Sequence, residues 1–283
     1  KNIYLIYDDG SIATGFPFIA NDKFKSSPSI LNLNDEIMIL AGCRDDNYYA
    51  IDQLGNLLWA IDAGGSISTS TGFVDLGEDV GLFFGTDLGL LYGINHNGQM
   101  LPGFPIDTYN AISVTPSFSD IDNNGEPEVI FGNSSGDIYV VSLEGLLYDF
   151  FPINGDFSII GSPSIYDLDL DNDLELVFGT TSGISVIDLK SEGNHANYWS
   201  MYKGDMLRTG SFEKNFDFGC NEIVLGDLDC NQIININDVV IIVSFVLENN
   251  IVESYQLLSG DLNYDNILDI LDIISIINNI LGS

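Results

Sequence analysis

Apolar residues in the first two thirds of the chain come in short runs, each ending in glycine. The four runs are Ile39-Leu40-Ala41-Gly42, Leu82-Phe83-Phe84-Gly85, Val129-Ile130-Phe131-Gly132 and Leu176-Val177-Phe178-Gly179. A small-residue start precedes each: Ser27-Pro28-Ser29, Ser70-Thr71-Gly72, Thr115-Pro116-Ser117 and Ser162-Pro163-Ser164, at intervals of 43, 45 and 47 residues. A turn and a second alternating segment follow, as in Gly136 to Val141, and then a further turn at Gly55, Gly98, Gly145 and Gly193. Two repeats close with Gly103-Phe104-Pro105 and Phe150-Phe151-Pro152. Short apolar runs bounded by Gly, Pro and Ser predict strands. Even spacing at a period near 45 predicts β-propeller blades, small sheets that bury their faces only by stacking on neighbours.

Ile3 to Gly10 matches the second half of such a blade, and Gly15-Phe16-Pro17-Phe18 matches its last strand. The chain therefore enters mid-blade, and we expect it to be the C-terminal part of a larger propeller. Beyond the aromatic stretch Tyr198 to Tyr202 and Arg208-Thr209-Gly210, the pattern changes. Two apolar runs of helical period, Val239–Leu247 and Ile273–Leu281, each follow an acidic loop. The expected organisation is mainly β: blades over 1–212, a linker over 213–222 and a small α-helical pair over 223–283. No run reaches the roughly 20 apolar residues of a membrane span.

Composition adds one constraint. Lys plus Arg is 8 and Asp plus Glu is 42, a formal charge of -34 in 283 residues. Such a surface repels phosphate, which argues against nucleic-acid and anionic-membrane partners. It fits a saline extracellular setting or bound divalent cations. Of the three cysteines, Cys220 and Cys230 flank a turn-rich segment and are expected to pair in an oxidising compartment, leaving Cys43 buried and unreactive.

The acidic residues are patterned. Asp120, Asp122, Asn124, Glu126 and Glu128 in one repeat align without a gap on Asp167, Asp169, Asp171, Asp173 and Glu175 in the next. Side-chain oxygens at positions 1, 3, 5 and 9 suit a hard cation, and calcium takes 6–8 oxygens at flexible angles. These loops resemble the calcium loops of FG-GAP, or integrin-α-like (VCBS-type), propeller repeats. The resemblance implies a backbone ligand at Glu126 and Asp173. Asn172 stands where that family prefers Gly, and Asn tolerates left-handed backbone. The first two repeats lack the loop and are expected to hold no metal.

The C-terminal segment repeats at an interval of 34 residues, with twelve-residue loops carrying oxygen side chains at positions 1, 3, 5, 9 and 12. These are Asp227, Asp229, Asn231, Asn235 and Asp238, then Asp261, Asn263, Asp265, Asp269 and Asp272. That is EF-hand spacing with Asp at the last position. With no convincing helix entering either loop and one leaving each, the pair resembles a type I dockerin. The resemblance implies backbone ligands at Ile233 and Ile267, up to four Ca2+ in the chain, and a cohesin-like partner. Gln232 and Asn266 replace the usual glycine, so the first site is expected to be weaker. Ile236-Asn237 and Ile270-Leu271 replace the hydroxyl pairs common in cellulosomes, which counts against a cellulosomal partner and leaves a cohesin-like or a same-chain docking surface open.

His96 and His195 sit in Asn-rich turns without a neighbouring nucleophile, and no phosphate loop or zinc spacing occurs. The reading is a secreted or cell-surface, bacterial-type, non-catalytic calcium-binding interaction module. The alternatives are the accessory region of a larger secreted hydrolase, a protease or polysaccharide-degrading enzyme, or a propeller that binds glycans or cell-surface proteins.

Overall fold

The computed structural model describes residues 1–34, 36–77, 79–214, 224–228, 233–248, 259–263 and 267–281. The fold is mainly β, with several small sheets and two helices near the C-terminus. It divides into two compact units, Lys1–Asn215 and Phe216–Ser283.

In the first unit, β1 (Asn2–Ile3) and β2 (Phe18–Ile19) form an antiparallel pair. A first meander contains β3 (Ser29–Leu33), β4 (Glu36–Gly42), β5 (Asn47–Asp52) and β6 (Leu57–Asp62). A second contains β7 (Gly72–Asp75), β8 (Val80–Gly85), β9 (Leu90–Asn95) and β10 (Ile106–Asp107). The third and fourth are three-stranded: β11 (Ser117–Ser119), β12 (Glu128–Gly132) and β13 (Ile138–Val141), then β14 (Ser164–Tyr166), β15 (Asp173–Thr180) and β16 (Gly183–Glu192). These are the propeller-type blades expected from the repeat, and they share one register. Ser29 pairs with Leu40, Gly72 with Phe83, Ser117 with Ile130 and Ser164 with Val177.

The repeated residues have repeated jobs. The hydroxyl of Ser26 donates to the Gly42 carbonyl and accepts its N–H, both at 2.9 Å; Thr69 does the same for Gly85 at 3.2 and 3.0 Å. The next hydroxyls tie neighbouring sheets: Thr115 Oγ1 accepts Ser70 N–H at 3.1 Å, and Ser162 Oγ accepts Thr115 N–H at 2.9 Å. The strand-ending glycines leave room for an isoleucine from the crossover. A Cβ on Gly42, Gly85 or Gly132 would lie 2.2, 2.3 or 2.7 Å from Ile67, Ile112 or Ile159 respectively.

Gly103, in the Gly-Phe-Pro turn, combines a φ of +81° with close backbone approach; a Cβ there would lie 1.9 Å from the Glu144 carbonyl oxygen. Gly103→Ala is expected to cost more than about 1 kcal/mol, because strain and clash add. The urea unfolding midpoint of the full chain checks this; an unchanged midpoint contradicts the tight approach.

Three apolar cores lie between successive sheets. One joins the first three sheets through Tyr48, Phe73, Phe83, Phe84 and Phe118; a second joins the third and fourth through Ile138, Val140, Ile165 and Phe178. The third places Phe16, Phe18 and Ile3 of the N-terminal pair on Ile39, Tyr49 and Ile51. Cys43 is buried there, and burial pushes its thiol up, which fits an unreactive side chain. Cys220 and Cys230 lie outside the described residues.

Gly193 was expected to mark a turn, as Gly55, Gly98 and Gly145 do. Instead the chain leaves β16 and crosses to the third sheet, where Asp120 N–H donates to the Asn194 carbonyl at 3.0 Å. The missing side chain is what allows this, since a Cβ at Gly193 would lie 2.6 Å from Leu174. Residues 194–214 then run along the innermost strands. Phe118 N–H donates to Trp199, Ile165 N–H to Ser200 and Ile30 N–H to Gly210, at 2.9, 2.9 and 2.8 Å. Lys203 Nζ donates to the Pro28 carbonyl at 2.7 Å, and β17 (Ser211–Lys214) pairs in parallel with β3. Trp199 and Phe212 pack on Phe73 at 4.9 and 5.4 Å between ring centres. The segment thus satisfies inner strand edges that would otherwise be open.

In the second unit, α1 (Ile236–Glu248) and α2 (Ile270–Leu281) pack around Leu228, Val239, Ile242 and Ile276. Both helices start three residues before their apolar runs suggest. The cause is a capping box. Asn235 Oδ1 accepts Asn237 N–H while Asp238 accepts Asn235 N–H, both at 2.8 Å. Asp269 and Asp272 repeat the arrangement at 2.7 and 3.1 Å. Ser259 and Gly260, just before the second loop, have helical backbone; residues 249–258 lie outside the described residues. No helix among the described residues is long and apolar enough to cross a membrane.

Candidate metal centres

The first acidic loop connects β11 to β12. Asn123 and Gly125 take positive φ, 57° and 94°, which folds the loop back on itself. Asp120 accepts the N–H groups of Asn124 and Gly125 at 3.0 and 2.8 Å, and Asn124 Oδ1 accepts Glu126 N–H at 2.7 Å. Asp122 accepts the Tyr148 hydroxyl at 2.9 Å, and Glu128 accepts Ile121 N–H at 2.9 Å. Oxygens of Asp120, Asp122 and Glu128 lie within 4.8 Å of one another. Burial, with Asp122 and Asp120 adding their charge, pushes the Glu128 carboxyl up to about 7. A cation at this point would oppose these contributions and favour the ionised carboxylate.

The second loop connects β14 to β15. Leu170 and Asn172 have φ of 67° and 75°, so Asn172 does adopt the left-handed backbone its place demands. Here Asp169, Asp171, Asp173 and Glu175 converge within 4.8 Å. Asp167, aligned with Asp120, lies outside that group and accepts the N–H groups of Leu170, Asp171 and Asn172 at 2.7, 3.2 and 3.1 Å. The side chain of Asp173 joins instead, where only its backbone was expected. Burial, with Asp171 beside it, pushes Asp173 up to about 6. Lys190 Nζ stands 3.8 Å from the far oxygen of Asp173. Two buried oxygens, Asp173 Oδ1 and Glu175 Oε1, have no hydrogen-bond partner. A buried carboxylate oxygen without a partner is costly, and a hard cation is the ligand this donor set suits. In the shortened loop of the second sheet, Asp75 is paired with Lys214.

The C-terminal loops close on Asp238 and Asp272, both fully buried. Their Oδ1 atoms accept Leu228 N–H at 2.8 Å and Leu262 N–H at 2.9 Å, equivalent bonds in the two halves. Asp227 and Asp261 are buried at the loop starts, and Gly226 N–H donates to the Ser259 carbonyl at 2.7 Å, linking the halves. The Ile233 and Ile267 side chains point into solvent, as positions contributing only a backbone oxygen should. Asn263 N–H also donates to Asp272 Oδ1, at 3.4 Å. Asp229, Asn231 and Asp265 lie outside the described residues.

The histidines have structural contacts. His96 Nδ1 is 2.5 Å from Asp79, its carbonyl accepts Trp59 Nε1–H at 3.0 Å, and His195 packs on Tyr166.

Glu175→Gln is expected to weaken calcium binding at the second loop about tenfold or more, since ligand charge sets affinity. Terbium luminescence sensitised by a neighbouring tyrosine, titrated on the full chain, reads this. Equal titration midpoints count against the site.

No protein-family model matches the sequence, and no curated protein matches it significantly. Similar solved structures include BamB from Moraxella catarrhalis, at 18% identity and TM-score 0.44, covering 65% of this chain and 52% of that one. BBS1N in complex with ARL6DN is similar at 16% identity and TM-score 0.46, covering 68% and 60%. The computationally designed Ika4 protein is similar at 20% identity and TM-score 0.41, covering 60% and 96%. The chain spans about half the length of the BamB structure it matches.

Proposed function

We propose that the chain is a secreted, non-catalytic calcium-binding interaction module. Its propeller-type sheets form a platform, and its C-terminal pair is a dockerin-like attachment unit that folds around calcium. The observation that carries this reading is the four-carboxylate group at Asp169, Asp171, Asp173 and Glu175, with its two unpartnered buried oxygens. Equivalent closure of both C-terminal loops on Asp238 and Asp272 supports two further sites. Bound calcium would supply charge neutralisation and a fixed loop shape. The residues around it hold the loops ready, through Asp120, Asp167 and the capping boxes.

Docking falls to the apolar surface that the two helices repeat. Ile236 and Val240 in α1 match Ile270 and Ile274 in α2, and all four are exposed, as is Leu271 beside them. Such a patch suits a partner's apolar face or another surface of the same chain.

Equilibrium dialysis of the full chain against calcium tests the reading. Up to four ions per chain are expected, with two lost in Glu128→Gln/Glu175→Gln and two in Asp238→Ala/Asp272→Ala. Absence of binding at millimolar calcium overturns it.

A further inference from the structure

The last strand of the fourth sheet outruns its counterpart, and the extra length lies against both acidic loops. β16 has ten residues where β13, in the same place in the third sheet, has four. Past Asp188, which pairs with Glu175, β16 bulges. Asp173 pairs with Glu192, so Leu189, Lys190 and Ser191 stand opposite Leu174 alone. Lys190 takes a φ of 58° in this bulge, and its ammonium pairs with Asp188 and stands 3.8 Å from Asp173. Gly193 N–H then donates to the Asn172 carbonyl at 3.3 Å. Residues 190–193 are thereby tied to the stretch that carries Asp171, Asp173 and Glu175.

The same segment holds the first loop. Asp120 and Asn194 exchange backbone hydrogen bonds at 3.0 and 2.6 Å. Ser119 Oγ donates to the Asn194 carbonyl at 2.9 Å, and Ser191 Oγ donates to the Ile121 carbonyl at 3.0 Å. Gly193 touches both loops at once. A Cβ there would lie 2.6 Å from Leu174 and 3.0 Å from the Asp120 carbonyl oxygen. Ile121 and Leu174 each stand between ligand positions of their own loop, and both are buried in one shared core.

We propose, resting on the calcium reading of these loops, that residues 190–194 couple the two sites, so that filling either loop raises the affinity of the other. The bonds from this segment go to the backbone that carries the ligands: Asp120 and Ile121 in the first loop, Asn172 and Asp173 in the second. Drawing the carboxylates of one loop around an ion fixes that backbone, and the shared segment with it. The other loop then loses less freedom when it is filled, which is positive cooperativity. Repulsion between two dications works against this. Each loop, however, carries more carboxylates than one dication neutralises, so a filled loop stays negative toward its neighbour. Ser119 and Ser191 are positioning residues here. Neither supplies a ligand, and their hydroxyls bind the segment to the first loop.

Equilibrium dialysis against calcium tests this on the full chain carrying Asp238→Ala/Asp272→Ala, in which only the two propeller loops are expected to bind. The expected result is two ions with a Hill coefficient above 1. Glu128→Gln and Glu175→Gln, each added singly to this parent, should leave one ion, held about threefold or more weaker than the parent midpoint in both cases. Independent loops cannot give that result, because the tighter loop alone would bind at least as well as the midpoint of the pair. Ser119→Ala/Ser191→Ala, added to the parent, should keep two ions and lose the cooperativity. Asn194 keeps its backbone bonds to Asp120, so this variant should fold, and far-UV circular dichroism matching the parent checks that it does. Two ions with a Hill coefficient no higher than 1 overturn the coupling and leave the calcium reading standing, whereas no bound ions overturn both. Cooperativity that survives in Ser119→Ala/Ser191→Ala overturns its assignment to this segment.

Discussion

Chelating calcium from the chain is expected to melt the C-terminal unit first. Among the described residues its buried centre is Leu228, Val239, Ile242 and Ile276, and a unit of so few residues is marginal without a metal or other staple. Asp227, Asp238, Asp261 and Asp272 are all buried in this unit. Without a cation, folding gathers their charges; with one, the folded state gains about 2.7 kcal/mol per site at a hundredfold excess over Kd. Two sites together are comparable to the whole stability of so small a unit. The measurement is far-UV circular dichroism at 222 nm during a thermal scan, with and without chelator. Loss of helical signal at lower temperature is the expected result, reproduced in calcium by Asp238→Ala/Asp272→Ala. Superimposable scans count against a metal-supported fold.

Phe83→Ala is expected to cost about 3–5 kcal/mol, the usual range for emptying a buried aromatic position. Phe83 is fully buried, and its ring contacts Phe104 of its own sheet and Phe118 of the next, both at 5.2 Å between centres. Its loss opens a cavity and breaks a junction between sheets, and neither neighbour can close the gap without moving a strand. Leu54→Ala, at an exposed turn, is the control and is expected to stay within about 0.5 kcal/mol. Urea unfolding of both variants gives the comparison. A Phe83→Ala cost close to that of Leu54→Ala shows that the sheets do not share this core.

The sheets were legible because their signals are local and repeated. Glycine after an apolar run and small hydroxyl residues before it recur at one period. What each residue does was less legible. The pairing of Gly42, Gly85 and Gly132 with Ile67, Ile112 and Ile159 depends on a distant crossover that periodicity does not show. Gly193 reads as a turn in sequence because its three counterparts are turns, yet packing against Leu174 sends the chain elsewhere. The loop ligands show the same limit. Asp120 and Asp167 align in sequence, but Asp120 joins its carboxylate group while Asp167 is spent on three backbone N–H groups. The helix starts were readable in principle, since Asn235 and Asp238, like Asp269 and Asp272, have capping-box spacing.

The course of residues 194–214 changes how the sheets behave as a set. A stack of repeats held only by nearest neighbours gains and loses its members one at a time. Here Gly210 is bonded to Ile30, Ser200 to Ile165 and Trp199 to Phe118, so one late segment touches the first, third and fourth sheets. These contacts join residues as far as 180 positions apart, as with Ile30 and Gly210. Such closures come late, after the loop between them has been brought together. During synthesis the early sheets therefore wait, incompletely edged, until this strap emerges. Once it is laid down, the array gives way as one body and not blade by blade.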